Sequence, residues 1–262
     1  MTMRNNSAAF GSGAIIGTLG GLIGLGGAEF RLPLLISLFR FRGLEAVVLN
    51  KATSLIVVAS ALPFRARAVP FAEIYAHWPV ILNLLAGSLV GAYAGASWAT
   101  RLKSETLYKV IAVLLLLIAG VLLFAHSTAA APAPALTGMY LIIAGVAAGF
   151  VIGIVASLLG VAGGEFLIPT LILLFGADVK LAGSLSLAVS LPTMLVGFAR
   201  YSRDQNFSVL RANWQFMLAM AIGSIVGTFI GGLLLGVVPN SILLPGLAAI
   251  LVISAVEIWR HE

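Results

Sequence analysis

Few side chains in this sequence can do chemistry, and most of those sit in apolar surroundings. Glu29 lies in "GLGGAEFRLP" (24–33), and Glu165 repeats the arrangement in "GVAGGEFLIP" (160–169). A carboxylate in such a stretch can relay a proton or turn back to cap free backbone N–H groups. Both roles stay open for Glu29 and Glu165. Lys51, in "LNKATSLIV", is the conspicuous cation. It can bind an anion, snorkel to a nearby surface, or pair with Glu29. Asn50, Thr53 and Ser54 flank it, and Ser184, Ser186, Ser190 and Thr193 occupy the corresponding later stretch. Such groups can coordinate the oxygens of a small anion or join helices by hydrogen bonds. Arg31 is about 200° around a helix from Glu29, which places it on another face and gives it the weaker claim to the site. His77, His126 and His261 have no metal-ligand spacing, and the chain has no cysteine for disulfide or thiolate chemistry.

The elements that must position these groups are membrane helices. Of the 262 residues, 61% are hydrophobic and 9% charged, with a mean hydropathy of +1.12. Soluble domains carry about a quarter charged residues. Continuous apolar runs approach the ~20 residues that cross a bilayer as helix, whereas a barrel would need short alternating strands. The excess of 15 Lys and Arg over 9 Asp and Glu calls for no nucleic acid, because cytoplasmic loops of membrane proteins collect basic residues.

The sequence also repeats itself. Shifted by 136 residues, 13–39 falls on 149–175, aligning Glu29 with Glu165, Phe30 with Phe166 and Pro33 with Pro169. Without a gap, Arg67 then meets Arg203, Trp78 meets Trp214, and "GSLVGAYAG" meets "GSIVGTFIG". Apolar composition alone does not align Glu, Pro, Arg and Trp. The first repeat is therefore 1–125, an Ala/Pro linker covers 126–137, and the second repeat is 138–262. The basic, then apolar N-terminus reads as part of the fold rather than as a signal peptide.

Each copy reads as a glycine-rich segment (8–25; 141–161), a short piece (30–40; 166–176) and three longer segments (44–64, 77–99 and 106–125; 179–199, 213–236 and 240–259). The first two form a glycine-broken helical hairpin, either re-entrant or fully crossing, that returns to its starting side. Three further crossings make the unit odd and invert the second copy. Under that topology Arg4, Arg40, Arg42, Arg101, Lys103, Lys109, Arg200, Arg203, Arg211 and Arg260 share one side. Arg65, Arg67 and Lys180 take the other. The bias puts both termini in the cytoplasm of a cell-membrane (inner-membrane) protein. The fold class is thus an all-α polytopic membrane protein of two inverted repeats.

Interrupted segments at matching positions of inverted repeats point to a transport site near the midplane. The half-helix starts near Glu29, with Pro33 in its first turn, where a missing N–H costs nothing. Its free N–H groups and positive end form an anion site, and the second copy brings another from the opposite side. The candidate substrate-binding set is Gly26, Gly27, Ala28, Glu29, Lys51, Thr53 and Ser54 with Gly163, Gly164, Glu165, Ser186 and Ser190; Glu29 and Glu165 are also the proton-coupling candidates. Gly87/Gly91/Gly95 and Gly223/Gly227/Gly231 are small-xxx-small stripes for helix packing.

The paired "GLGGAEFRLPLL" and "GVAGGEFLIPTL", each followed by a Ser/Thr-bearing span ("NKATSLIV", "GSLSLAVSLP"), resemble the sulfite exporter TauE/SafE family of transmembrane permeases over nearly the whole chain. The resemblance implies transport of sulfur-containing anions: sulfite, sulfonates or related organosulfur compounds. It matches the family's glycine-rich motifs to 24–33 and 160–169.

The leading expectation is a secondary transporter of a small anion, without cofactor or metal, surrounded by lipid. No Walker A motif is present, so the driving force is an ion gradient or the substrate's own. An anion channel and a non-transporting membrane subunit or scaffold are the alternatives. An enzyme is the weakest reading, since no nucleophile–base or metal set is evident. A homodimer is compatible with the sequence but not specified by it.

Overall fold

The computed structural model describes residues 5–23, 27–65, 69–124, 136–234 and 240–260, and these are helical with no strand among them. The first half holds α1 (Asn6–Ile23), α2 (Ala28–Ser37), α3 (Gly43–Arg65), α4 (Phe71–Ala76), α5 (Trp78–Ala99) and α6 (Ser104–Phe124). The second half holds α7 (Gly138–Leu159), α8 (Gly164–Phe175), α9 (Val179–Tyr201), α10 (Ser208–Ala212, after a 3-10 turn over Gln205–Phe207), α11 (Trp214–Leu233) and α12 (Asn240–Trp259). The 136-residue shift carries over to the helix boundaries. Ile23 and Leu159 end matching helices, Ala28 and Gly164 begin the next pair, and α3 maps onto α9 end to end. The correspondence reaches α6 and α12, beyond the stretch in which the sequences match.

Among the described residues, six helices are long and apolar enough to cross a membrane: α5 and α7 in full, and most of α3, α6, α9 and α11. The 12-residue α8 rises only about 18 Å, against a hydrocarbon core of about 30 Å.

Packing follows the repeat too. The most extensive contacts are α1 with α11 and α5 with α7, which the shift exchanges. Both seams are built on small residues. A Cβ at Gly87, Gly91 or Gly95 would strike the Val146, Phe150 or Ile154 carbonyl, and one at Gly149 or Gly153 the Leu84 or Ser88 carbonyl. Gly13 and Gly17 likewise abut the Met220 and Ser224 carbonyls, while Gly223 and Gly227 abut those of Phe10 and Ala14. Between helices in lipid, such close backbone approach supplies the contact that the hydrophobic effect cannot. The glycine stripes are packing surfaces, as the sequence predicts.

α3 and α9 are the most enclosed of the long helices. They pack against each other, and α2 and α8 lie against them. The Lys- and Ser/Thr-bearing segments therefore stand inside the protein, next to the two short helices.

Candidate functional site

The candidate site is built around two breaks between helices. α1 ends at Ile23 and α2 begins at Ala28, right after Gly27 with φ +74°; α7 ends at Leu159 and α8 begins at Gly164, after Gly163 with φ +83°. This left-handed conformation costs a residue with a Cβ roughly 1–2 kcal/mol, which explains glycine at both places. Gly27 is also pinned sterically, since a Cβ there would lie 2.5 Å from the Ile16 carbonyl oxygen. Neither glycine offers a side-chain cap, so the first amides of α2 and α8 are left for another partner.

Pro33 departs from expectation. It is the sixth residue of α2, in the second turn rather than the first, and Pro169 is the sixth of α8. Each lacks the N–H that would hydrogen-bond the carbonyl four residues back, which belongs to Glu29 or Glu165. The two prolines thus withhold a helical donor from the backbone of both glutamates.

The structure brings those glutamates together. Glu29 is fully buried and Glu165 nearly so, and their carboxyl groups are close enough to interact directly. Neither oxygen of Glu29 has a hydrogen-bond partner among the described residues, nor does Oε2 of Glu165. The capping role is therefore not realised for Glu29. Gly27, Ala28, Gly163 and Gly164 frame the pair, while Gly26 lies outside the described residues, as does Arg67 among the loop cations.

Lys51 is completely buried and does not snorkel. Its ammonium donates to the Ala156 carbonyl at 3.2 Å and more weakly to Ser157 Oγ at 3.5 Å, in the last turn of α7, and not to Glu29. A cation at a helix C-terminus meets the negative end of the macrodipole. Tyr201 ties the same turn to α9, its hydroxyl donating to the Ser157 carbonyl at 2.9 Å. Lys51 thus holds the end of the broken helix that leads into Glu165.

The hydroxyls divide. Ser54 accepts from Arg31, whereas Thr53 donates to the Leu49 carbonyl of its own helix and Ser186 to that of Gly183. Thr193 shares a 2.7 Å hydrogen bond with Ser88 of α5. Ser184 and Ser190 are buried, and Ser184 Oγ has no partner among the described residues.

Arg31 is more connected than its spacing from Glu29 suggests. It is wholly buried, and its guanidinium joins three helices: Nη1 donates to Asn50 Oδ1 (3.2 Å) and Ser54 Oγ (3.0 Å) on α3, and Nη2 to Ser224 Oγ (3.2 Å) on α11. Asn50 extends the network, its amide donating at 3.0 Å to the carbonyls of Ala28, the first residue of α2, and Leu159, the last of α7. One asparagine thus links both bends. Arg31 and Glu29 lie about 200° apart on α2, but α2 is surrounded by protein on both faces. A signal was available in the sequence: "NKATS" places Asn50 and Ser54 one helical turn apart, a ready pair of acceptors for a guanidinium.

A multi-pass helical protein that gathers two carboxyls, a guanidinium, an ammonium and a belt of hydroxyls in its interior has the make-up of a membrane transporter, because buried intramembrane charge marks ion and substrate paths. The chain belongs to the sulfite exporter TauE/SafE family, whose model matches residues 9–258. No curated protein and no solved structure matches it. Membership makes it a membrane transport protein, and both glycine bends lie within the matched region.

Proposed function

We propose that the chain is a secondary transporter of small sulfur-containing anions, sulfite or organosulfonates, and that it couples their movement to protons. The anion binds near the membrane midplane between the N-terminal ends of α2 and α8. Gly27, Ala28, Gly163 and Gly164 present backbone amides there; Ser54, Ser186 and Ser190 supply hydroxyls; Thr53 and Lys51 line the α3 side. The two halves, 1–125 and 138–262, are inverted copies with both termini in the cytoplasm, and each bend closes a hairpin reaching the centre from its own side.

One observation carries the reading: Glu29 and Glu165 are buried at two helix starts with their carboxyls in reach of each other, and among the described residues neither oxygen of Glu29 nor Oε2 of Glu165 has a hydrogen-bond partner. Two such carboxylates cannot both be charged at low cost, so the pair takes up a proton. An anion that enters beside the pair is stabilised by that proton, and its departure returns the proton to water. This gives a coupling cycle without metal or ATP. An uncoupled anion channel would not need the carboxyl pair.

The test is flux into proteoliposomes with sulfite, sulfate, thiosulfate and methanesulfonate offered in turn. Saturable uptake of sulfite or methanesulfonate that responds to an imposed pH gradient is expected. Linear uptake indifferent to pH would instead favour a channel.

A further inference from the structure

Arg31 holds an open binding edge. Both hydrogens of Nη1 have acceptors, Asn50 Oδ1 and Ser54 Oγ, while Nη2 gives one hydrogen bond, to Ser224 Oγ. Nε has no partner among the described residues, although the side chain is entirely buried. In a guanidinium, Nε–H and one Nη2 hydrogen lie parallel along the same side. That edge suits a bidentate grip on two oxygens of one oxyanion. Nη1 is tied down by two acceptors, whereas on this edge Nε is left without one among the described residues.

The environment is also one-sided. The repeat mate of Arg31 is Leu167, buried and apolar, and those of Asn50 and Lys51 are Ser186 and Leu187. Ser224 and its mate Ser88 are both buried, but Ser88 bonds Thr193 where Ser224 bonds Arg31. Duplication gave two similar bends, and one of them acquired a fixed cation. A buried guanidinium N–H without an acceptor costs free energy, which an incoming acceptor recovers.

We propose that the Nε–Nη2 edge of Arg31 is the recognition element for the transported anion, oriented by Asn50, Ser54 and Ser224, so that the anion sits off centre toward the first half. The ligand class is an oxyanion presenting two oxygens on one atom, such as sulfite or the head of a sulfonate. A halide offers no second oxygen and loses the two-point grip. Because Asn50 also holds the start of α2 and the end of α7, filling the Arg31 edge bears on both bends.

The assignment rests on the transport reading above, and the experiment separates the two. Binding of sodium sulfite and of methanesulfonate to purified protein in detergent is measured by calorimetry for wild type, Arg31→Lys and Ser224→Ala. Arg31→Lys keeps the charge but loses the fork, and sulfite affinity is expected to fall at least ten-fold. Ser224→Ala loosens the clamp at a residue outside the proposed anion site, and a three- to ten-fold loss is expected, which keeps the test decisive should Arg31→Lys not fold. Wild-type affinity in the variants that fold overturns the assignment alone. A wild type that binds neither anion overturns the transport reading with it.

Discussion

The carboxyls at the two bends differ from ordinary helix caps in a way that can be measured. A capping carboxylate accepts hydrogen bonds from its own first turn, and losing it costs about 1 kcal/mol. Glu29 accepts none among the described residues. Glu29→Gln should therefore leave the unfolding midpoint of the detergent-solubilised protein unchanged or slightly raised, since an amide beside Glu165 supplies a donor. The same variant should lose the pH dependence of flux while still binding sulfite. A clear fall in stability with pH dependence intact would restore the capping role. Lys51 makes a second test: Lys51→Met strands the C-terminal carbonyls of α7 without their cation and should destabilise by about 1–3 kcal/mol. A Lys51→Met protein as stable as wild type, with weakened sulfite binding, would mean that the lysine serves the anion directly. At this scale the sequence was only partly legible. Glu29, Glu165 and Lys51 announce themselves because charge is rare in apolar runs. Partners from distant helices do not: the acceptors of Arg31 lie on α3 and α11, beyond anything that spacing along its own helix can show.

Among the elements, the bends are the most constrained pieces. Gly27 and Gly163 share a left-handed φ, yet their surroundings differ: a Cβ at Gly27 meets the backbone of α1 at 2.5 Å, whereas one at Gly163 meets the Ile152 and Ala156 side chains at 3.1 and 3.2 Å. Gly27→Ala should accordingly cost about 1–3 kcal/mol more than Gly163→Ala, because backbone cannot yield as side chains can. Thermal melts of the two variants compare them directly, and equal losses would show that the Ile16 carbonyl gives way freely. The helices themselves were plain in the sequence. Apolar runs bounded by glycine, proline and charge locate the ten longer segments to within a few residues, but not the short helices α4 and α10, which are too brief to show a run of their own. Pro33 is the exception, because the first turn was counted from the glutamate rather than from the glycine that turns the chain.

For the whole molecule, the repeat is the feature the sequence displays most fully, since a gapless duplication aligns even the short helices α4 and α10. The orientation proposed for it in the bilayer rests on loop charge rather than on packing. On this cysteine-free background, single cysteines at positions 102 and 205 should label from the same side as the N-terminus, and one at 66 from the other. Labelling of 66 and 102 from one side would sink the inverted arrangement. The central claim is that the paired bends carry a sulfur oxyanion together with a proton. Its most direct test is the pH inside sulfite-loaded proteoliposomes, diluted into sulfite-free buffer and followed with a trapped dye. We expect sulfite efflux to draw protons out, with the interior turning alkaline in wild type and the proton signal absent in Glu29→Gln. Sulfite efflux with no proton movement attributable to the protein, or the same movement in Glu29→Gln, would contradict the account.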